Sequence, residues 1–150
     1  MFDSYKRKID YLRISVTDRC NLRCTYCMPA EGIQMLRHED ILSYDEITEV
    51  IREAVALGVD KVRITGGEPL VRKGIVNLVA MISAIPGIRD LAMTTNGILL
   101  SDHAYELKAA GLHRVNISLD TTDPEEFRRI TRGGDIQAPG SGSRATPSTE

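Results

Sequence analysis

Four short runs of apolar and β-branched residues recur along the chain: Tyr11–Val16, Lys61–Thr65, Asp90–Thr94 and Arg114–Leu119. Each gives way to small, polar or glycine residues, as a buried strand does where it meets a turn. Helical patterns separate them. Ser43 and Glu46 have the spacing of a capping box. Ile47, Val50, Ile51, Ala54 and Val55 then follow at helical intervals until Gly58. Residues 74–85 repeat the pattern with Ile75, Leu78, Val79, Ile82 and Ile85, closed by Pro86-Gly87. A third helix is predicted over 101–110, capped by Ser101 and stopped by Gly111. Asp123-Pro124 opens a short fourth through Phe127 and Ile130. Strand–helix alternation of this kind predicts α/β architecture: βα units on a parallel sheet with right-handed crossovers. Periodicity does not choose between an open doubly wound sheet and a partial barrel.

At 150 residues the length suits one domain. Residues 1–134 are expected to form the folded core. From Asp135 to Glu150 eleven of sixteen residues are Gly, Pro, Ser, Thr or Ala, and Ile136 is the one large hydrophobe. Such a segment buries too little to offset its ordering entropy, so a disordered low-complexity tail is predicted over 135–150. The net charge of −2 argues against bulk capture of nucleic acid or an anionic membrane, while permitting a local basic pocket. No run of 18 apolar residues is present, and Met1 to Asp10 shows no apolar signal core. A cytoplasmic protein is the expectation.

The three cysteines, Cys20, Cys24 and Cys27, fall within eight residues directly after the first predicted strand. An odd, clustered set in such a chain is poor disulfide material. A structural zinc site wants four ligands, and His38, the nearest further candidate, is distant. Three thiolates suit a 4Fe–4S cluster that leaves one iron free to chelate a substrate or cofactor. Structural zinc and buried free thiols are the alternatives.

The spacing Cys-x3-Cys-x2-Cys, with Tyr26 before the last cysteine, resembles the signature of the radical S-adenosylmethionine (SAM) family. Thr65-Gly66-Gly67-Glu68-Pro69 resembles that family's glycine-rich SAM-binding turn. Thr94-Thr95-Asn96-Gly97 and Asn116-Ile117-Ser118-Leu119-Asp120 resemble the tips of its third and fourth strands. Tyr11–Ser15, Thr17–Cys24, Tyr26–Pro29 and Val62–Leu70 are most similar to the branch that cyclises GTP in molybdenum cofactor biosynthesis. The resemblance covers about Asp10 to Arg132.

What the resemblance implies is specific. The fold would be part of a radical SAM (β/α) barrel, with about four parallel strands. One 4Fe–4S cluster on Cys20, Cys24 and Cys27 would pass an electron to SAM, and the resulting 5′-deoxyadenosyl radical would take hydrogen from C3′ of GTP so that C3′ joins C8. Tyr26, Gly67 and Ser118 would contact SAM. Arg13, Arg63 and Thr94 would contact GTP. Strand alternation also aims Arg13 and Arg63 into a pocket, and a guanidinium can fork two phosphate oxygens. No acid–base dyad is needed for hydrogen abstraction, so no catalytic side chain is assigned. Glu68 could hold the SAM ammonium or be a solvated turn carboxylate, and its side-chain role stays open. Arg19, Arg23, Arg72 and Lys73 read as surface charges, and His38, His103 and His113 show no ligand spacing.

Partners implied are GTP, SAM, an electron donor and, downstream, a pterin synthase. An unpaired last strand also invites homodimerisation. Related enzymes continue into a second three-cysteine cluster, whereas this sequence has no cysteine after Cys27. A truncated, frameshifted or fragmentary form is therefore expected, without complete GTP cyclisation on its own. Two alternatives stand beside this reading: a fragment of another radical SAM enzyme, such as a peptide-modifying maturase, and a non-catalytic metal-binding module.

Overall fold

The computed structural model describes residue 2 and residues 4–136. The tail expected over 135–150 lies, from residue 137 onward, outside the described residues. Strand and helix alternate in the predicted order. The elements are β1 (Tyr11–Ser15), α1 (Tyr44–Ala56), β2 (Lys61–Thr65), α2 (Ile75–Ser83), β3 (Asp90–Thr95), α3 (Leu100–Ala109), β4 (Arg114–Ile117) and α4 (Pro124–Thr131). The strands form one parallel sheet in the order β1-β2-β3-β4, so each βα unit sits beside its predecessor. This is a partial (β/α) barrel.

Local chemistry explains most boundaries. The Ser43–Glu46 capping box is formed, with the Ser43 hydroxyl accepting from the Glu46 amide and Glu46 accepting from the Ser43 amide. Asp123 caps α4 through the Glu126 amide at 2.8 Å, with Pro124 at the first helical position. Ser101 does not cap α3, contrary to the sequence reading. That helix begins at Leu100, because the turn at Gly97 already supplies a carbonyl to the Leu100 amide at 3.1 Å. β1 and β4 end earlier than their apolar runs, at Ser15 and Ile117, and β3 runs on to Thr95.

The two faces of the sheet differ in kind. Period-two alternation sends Val62, Ile64, Leu91 and Met93 to the helix-covered face, where they pack with Ile47, Ile51, Leu78, Val79, Ile82 and Leu107. Full burial of each such side chain contributes roughly 1.5–3 kcal/mol. The other face carries charge. Strand register aligns Arg13 with Arg63, Arg63 with Ala92, and Ala92 with Arg114. One row therefore crosses all four strands and presents three arginines.

β4 pairs with β3, and all four of its residues are exposed. Arg114 grips Asp90 through two hydrogen bonds, one of 3.0 Å from Nε to Oδ1 and one from the terminal nitrogen to Oδ2. These bonds hold the Asp90 carboxyl below its ordinary value of 3.8. A depressed folded pKa gives stability that is complete above the unfolded value and is lost as pH falls through the folded one. Urea melts should therefore lose stability below pH 3.8 more steeply for the native chain than for Asp90→Asn. Parallel pH curves for the two proteins would contradict this.

Candidate functional site

In a parallel sheet the carboxyl ends of the strands share one rim, and the turns that leave them can meet there. Here the first two such turns are joined backbone to backbone. The Val16 amide donates to the Thr65 carbonyl at 2.9 Å, Gly67 to Thr17 at 2.7 Å, and Glu68 to Arg19 at 2.8 Å. Pairing thus continues past the ends of β1 and β2 and leads straight into the cysteines. Both glycines are required by this approach. A Cβ on Gly66 would lie 2.5 Å from the Thr17 carbonyl oxygen, and one on Gly67 would lie 2.3 Å from that of Arg19.

Glu68 is not the solvated turn carboxylate that the sequence allows. Its side chain is fully buried. One carboxylate oxygen accepts from the Leu70 amide at 3.0 Å and the Thr95 hydroxyl at 2.7 Å. The other accepts from the Asn96 amide at 2.7 Å. The carboxylate points inward and bolts the glycine turn to the tip of β3. Asn96 then reaches the cysteines: its side-chain nitrogen lies 2.8 Å from Asn21 Oδ1 and 3.9 Å from Cys20 Sγ.

The three thiols are free. Cys20 and Cys24 are half-buried and Cys27 is exposed. The amides of Cys27 and Met28 both donate to the Cys24 carbonyl, which curls the loop into a tight turn. Burial raises the Cys24 thiol above its ordinary value and a Tyr26 hydrogen bond opposes this, while Cys27, Cys20 and Asp120 push it up further. Tyr26, itself exposed, donates its hydroxyl to Asp120 beyond β4 at 2.7 Å, and this bond pushes the phenol well above its usual range. Arg23 and Arg72 are not the surface charges expected. Arg23 donates to the carbonyls of Cys20 and Leu22, and Arg72 donates to those of Val16 and Leu42 while stacking on Tyr44. Guanidinium donors satisfy carbonyls that irregular loop backbone leaves unpaired.

Among the described residues no three His, Cys, Asp or Glu side chains surround a single ion position. A cluster makes a different demand, because it is held by thiolates spread over several irons. Three free thiols within eight residues of one loop, two of them on the turn closed at the Cys24 carbonyl, supply ligands of that kind. Below the loop, Arg63 is half-buried beside the Tyr11 ring, and its Nε is buried without a hydrogen-bond partner. Arg13 stands next to it in register. Thr94 pairs with Asn116 at the strand ends, and Ser118 donates its amide to the Thr95 carbonyl at 2.9 Å. The predicted residues thus occupy one rim and one face. Glu68, Asn96 and Asp120 tie these segments to one another. They lie inside motifs visible in the sequence, but their partners are distant in the chain.

The pattern of the Radical SAM superfamily matches residues 14–138. The chain belongs to the radical SAM superfamily. Radical SAM membership supports use of SAM and an iron–sulfur cluster in general. Similar chains include GTP 3′,8-cyclase of Alkaliphilus oremlandii, 61% identical over 136 residues, and GTP 3′,8-cyclase of Geobacter sulfurreducens, 59% identical over 137. In both cases 91% of this chain is matched, against 42% of the relative, so the chain spans about two-fifths of those proteins' length. Among solved structures, Streptococcus suis SuiB bound to S-adenosylmethionine is similar at 25% identity with a TM-score of 0.67, over 81% of this chain and 27% of SuiB. BtrN in complex with AdoMet and 2-DOIA, at 18% identity and TM-score 0.59, over 83% of this chain and 51% of BtrN, shares the fold. No described helix is long and apolar enough to cross a membrane.

Two substitutions test the joint between the turns. Gly67→Ala should lower stability by roughly 1–3 kcal/mol, because its methyl group meets backbone that cannot yield. Glu68→Gln turns an amide donor toward existing donors and should cost roughly 1–3 kcal/mol. Chemical denaturation reads both, and wild-type midpoints would refute the assignment of the joint.

Proposed function

We propose that this chain is the cluster- and SAM-binding portion of a GTP 3′,8-cyclase, the reaction named for its relatives at about 60% identity. Cys20, Cys24 and Cys27 hold one 4Fe–4S cluster with an open iron. When bound, that cluster supplies the electron that splits SAM into methionine and a 5′-deoxyadenosyl radical. The rest of the work falls to the chain's own residues. Gly67 brings backbone to the methionine end of SAM, and Tyr26 and Ser118 flank the nucleoside end. Arg13 and Arg63 hold the triphosphate of GTP, with Thr94 offering a hydroxyl nearer the rim.

The observation that carries the GTP reading is the arginine row. Arg114 is committed to Asp90, which leaves Arg13 and Arg63 adjacent, one of them with a buried unpaired Nε. A buried guanidinium donor without a partner calls for an anionic acceptor. A peptide-modifying radical SAM enzyme has no need of such a pair.

Two measurements test this reading. Anaerobic reconstitution should give about four irons per chain with thiolate-to-iron absorbance, and replacing any one of the three cysteines by Ala should abolish stable uptake. Stoichiometric zinc instead would overturn it. Arg13→Ala and Arg63→Ala should each weaken GTP binding about tenfold or more while leaving binding of unphosphorylated guanosine unchanged. Equal losses for both ligands would count against triphosphate recognition.

A further inference from the structure

The loop carrying Cys24 and Cys27 leaves the sheet at β1, yet its backbone is tied to α4, which follows the strand at the opposite edge. The Arg23 amide donates to the Thr131 carbonyl at 3.1 Å, and the Thr25 amide to that of Ile130 at 2.9 Å. Both acceptors sit in the last turn of α4, where a helix leaves carbonyls unused. Immediately beyond, Arg132 adopts a left-handed conformation with φ of 54°. A side chain with a Cβ pays for that conformation and glycine does not. Glycine would make the turn more cheaply, so the side chain is what this position uses.

The use is visible. The Arg132 guanidinium lies across the cysteine loop and donates from one nitrogen to the Arg23 carbonyl at 3.1 Å and the Met28 carbonyl at 2.6 Å. Those two carbonyls bracket Cys24 and Cys27. The following chain supports the arrangement. The Gly134 amide donates to the Thr131 hydroxyl at 2.9 Å, and a Cβ on Gly134 would lie 2.8 Å from the Leu22 side chain.

We propose that Arg132 is a positioning residue for the cluster loop: its guanidinium staples residues 23–28 closed and so fixes where Cys24 and Cys27 stand relative to Cys20. This rests on the reading that these cysteines hold the cluster. A loop held only at its β1 end would let two of three thiolates drift, and the cluster would be lost to solvent or chelator. The α4 carbonyls set where the loop lies, and Arg132 sets its shape.

The test uses the full chain, reconstituted anaerobically. Arg132→Gly suits the left-handed backbone and removes the side chain with its guanidinium. Arg132→Lys keeps a cation able to donate to both carbonyls. Arg129→Ala, on the same helix and paired with Glu126, is the control. Iron release to a strong chelator is followed by absorbance, and the melting of the cluster-free chain by circular dichroism. Arg132→Gly should release iron about tenfold faster than wild type with a cluster-free melting temperature no lower than wild type, Arg132→Lys should recover most of that loss, and Arg129→Ala should match wild type. Iron release from Arg132→Gly at the wild-type rate overturns the assignment. So does a fall in its cluster-free melting temperature that accounts for the faster release, since Arg132 would then support the fold generally. A wild-type chain that takes up no cluster refutes the underlying reading and this inference with it, whereas a cluster equally secure in wild type and Arg132→Gly refutes the inference alone.

Discussion

A carboxylate sealed from water persists only where protein donors replace its hydration. Glu68 meets that condition through the Leu70 amide, the Thr95 hydroxyl and the Asn96 amide. The rest of the rim hangs on these bonds. They hold the glycine turn after β2 against the tip of β3, and the same turn is paired through its backbone with the segment that leads into the cysteines. Asn96 closes the circuit by reaching from β3 back to Cys20 and Asn21. Three separate βα turns thereby become one surface. A glutamate whose role the sequence leaves open is, in the fold, the anchor between the glycine turn and the tip of β3.

The division of labour across the sheet follows from alternation and register. One face is apolar and covered by helices. The other places Arg13, Arg63 and Arg114 in a single row, with Asp90 neutralising the last. Parallel strands in register convert residues 50 positions apart in sequence into immediate neighbours, since Arg13 pairs with Arg63. The basic row lies within the strands, while the thiol loop follows the end of β1.

The elements of this fold were legible because their signals are local. The capping box at Ser43, the Asp123-Pro124 start of α4 and the apolar spacing of α1 and α2 each act within one or two helical turns. The cysteine, glycine and strand-tip motifs were legible for the same reason. What sequence reasoning missed depends on partners far along the chain. Glu68 finds Asn96, Tyr26 finds Asp120, and Arg72 finds Val16 and Leu42. Nothing in the composition of a turn tells whether its charged residue faces solvent or the carbonyls of another loop. Ser101 shows the converse, since a favourable cap residue was pre-empted by a backbone turn at Gly97.

On the function proposed, the cysteine loop and the glycine turn together bind the cluster and SAM. Electron paramagnetic resonance of the reconstituted, dithionite-reduced chain tests it most directly. A reduced cluster signal whose g-values shift when SAM is added is the predicted result, and the shift should disappear in Gly67→Ala even where the cluster itself remains. A cluster signal indifferent to SAM, or no cluster signal at all, would contradict the account.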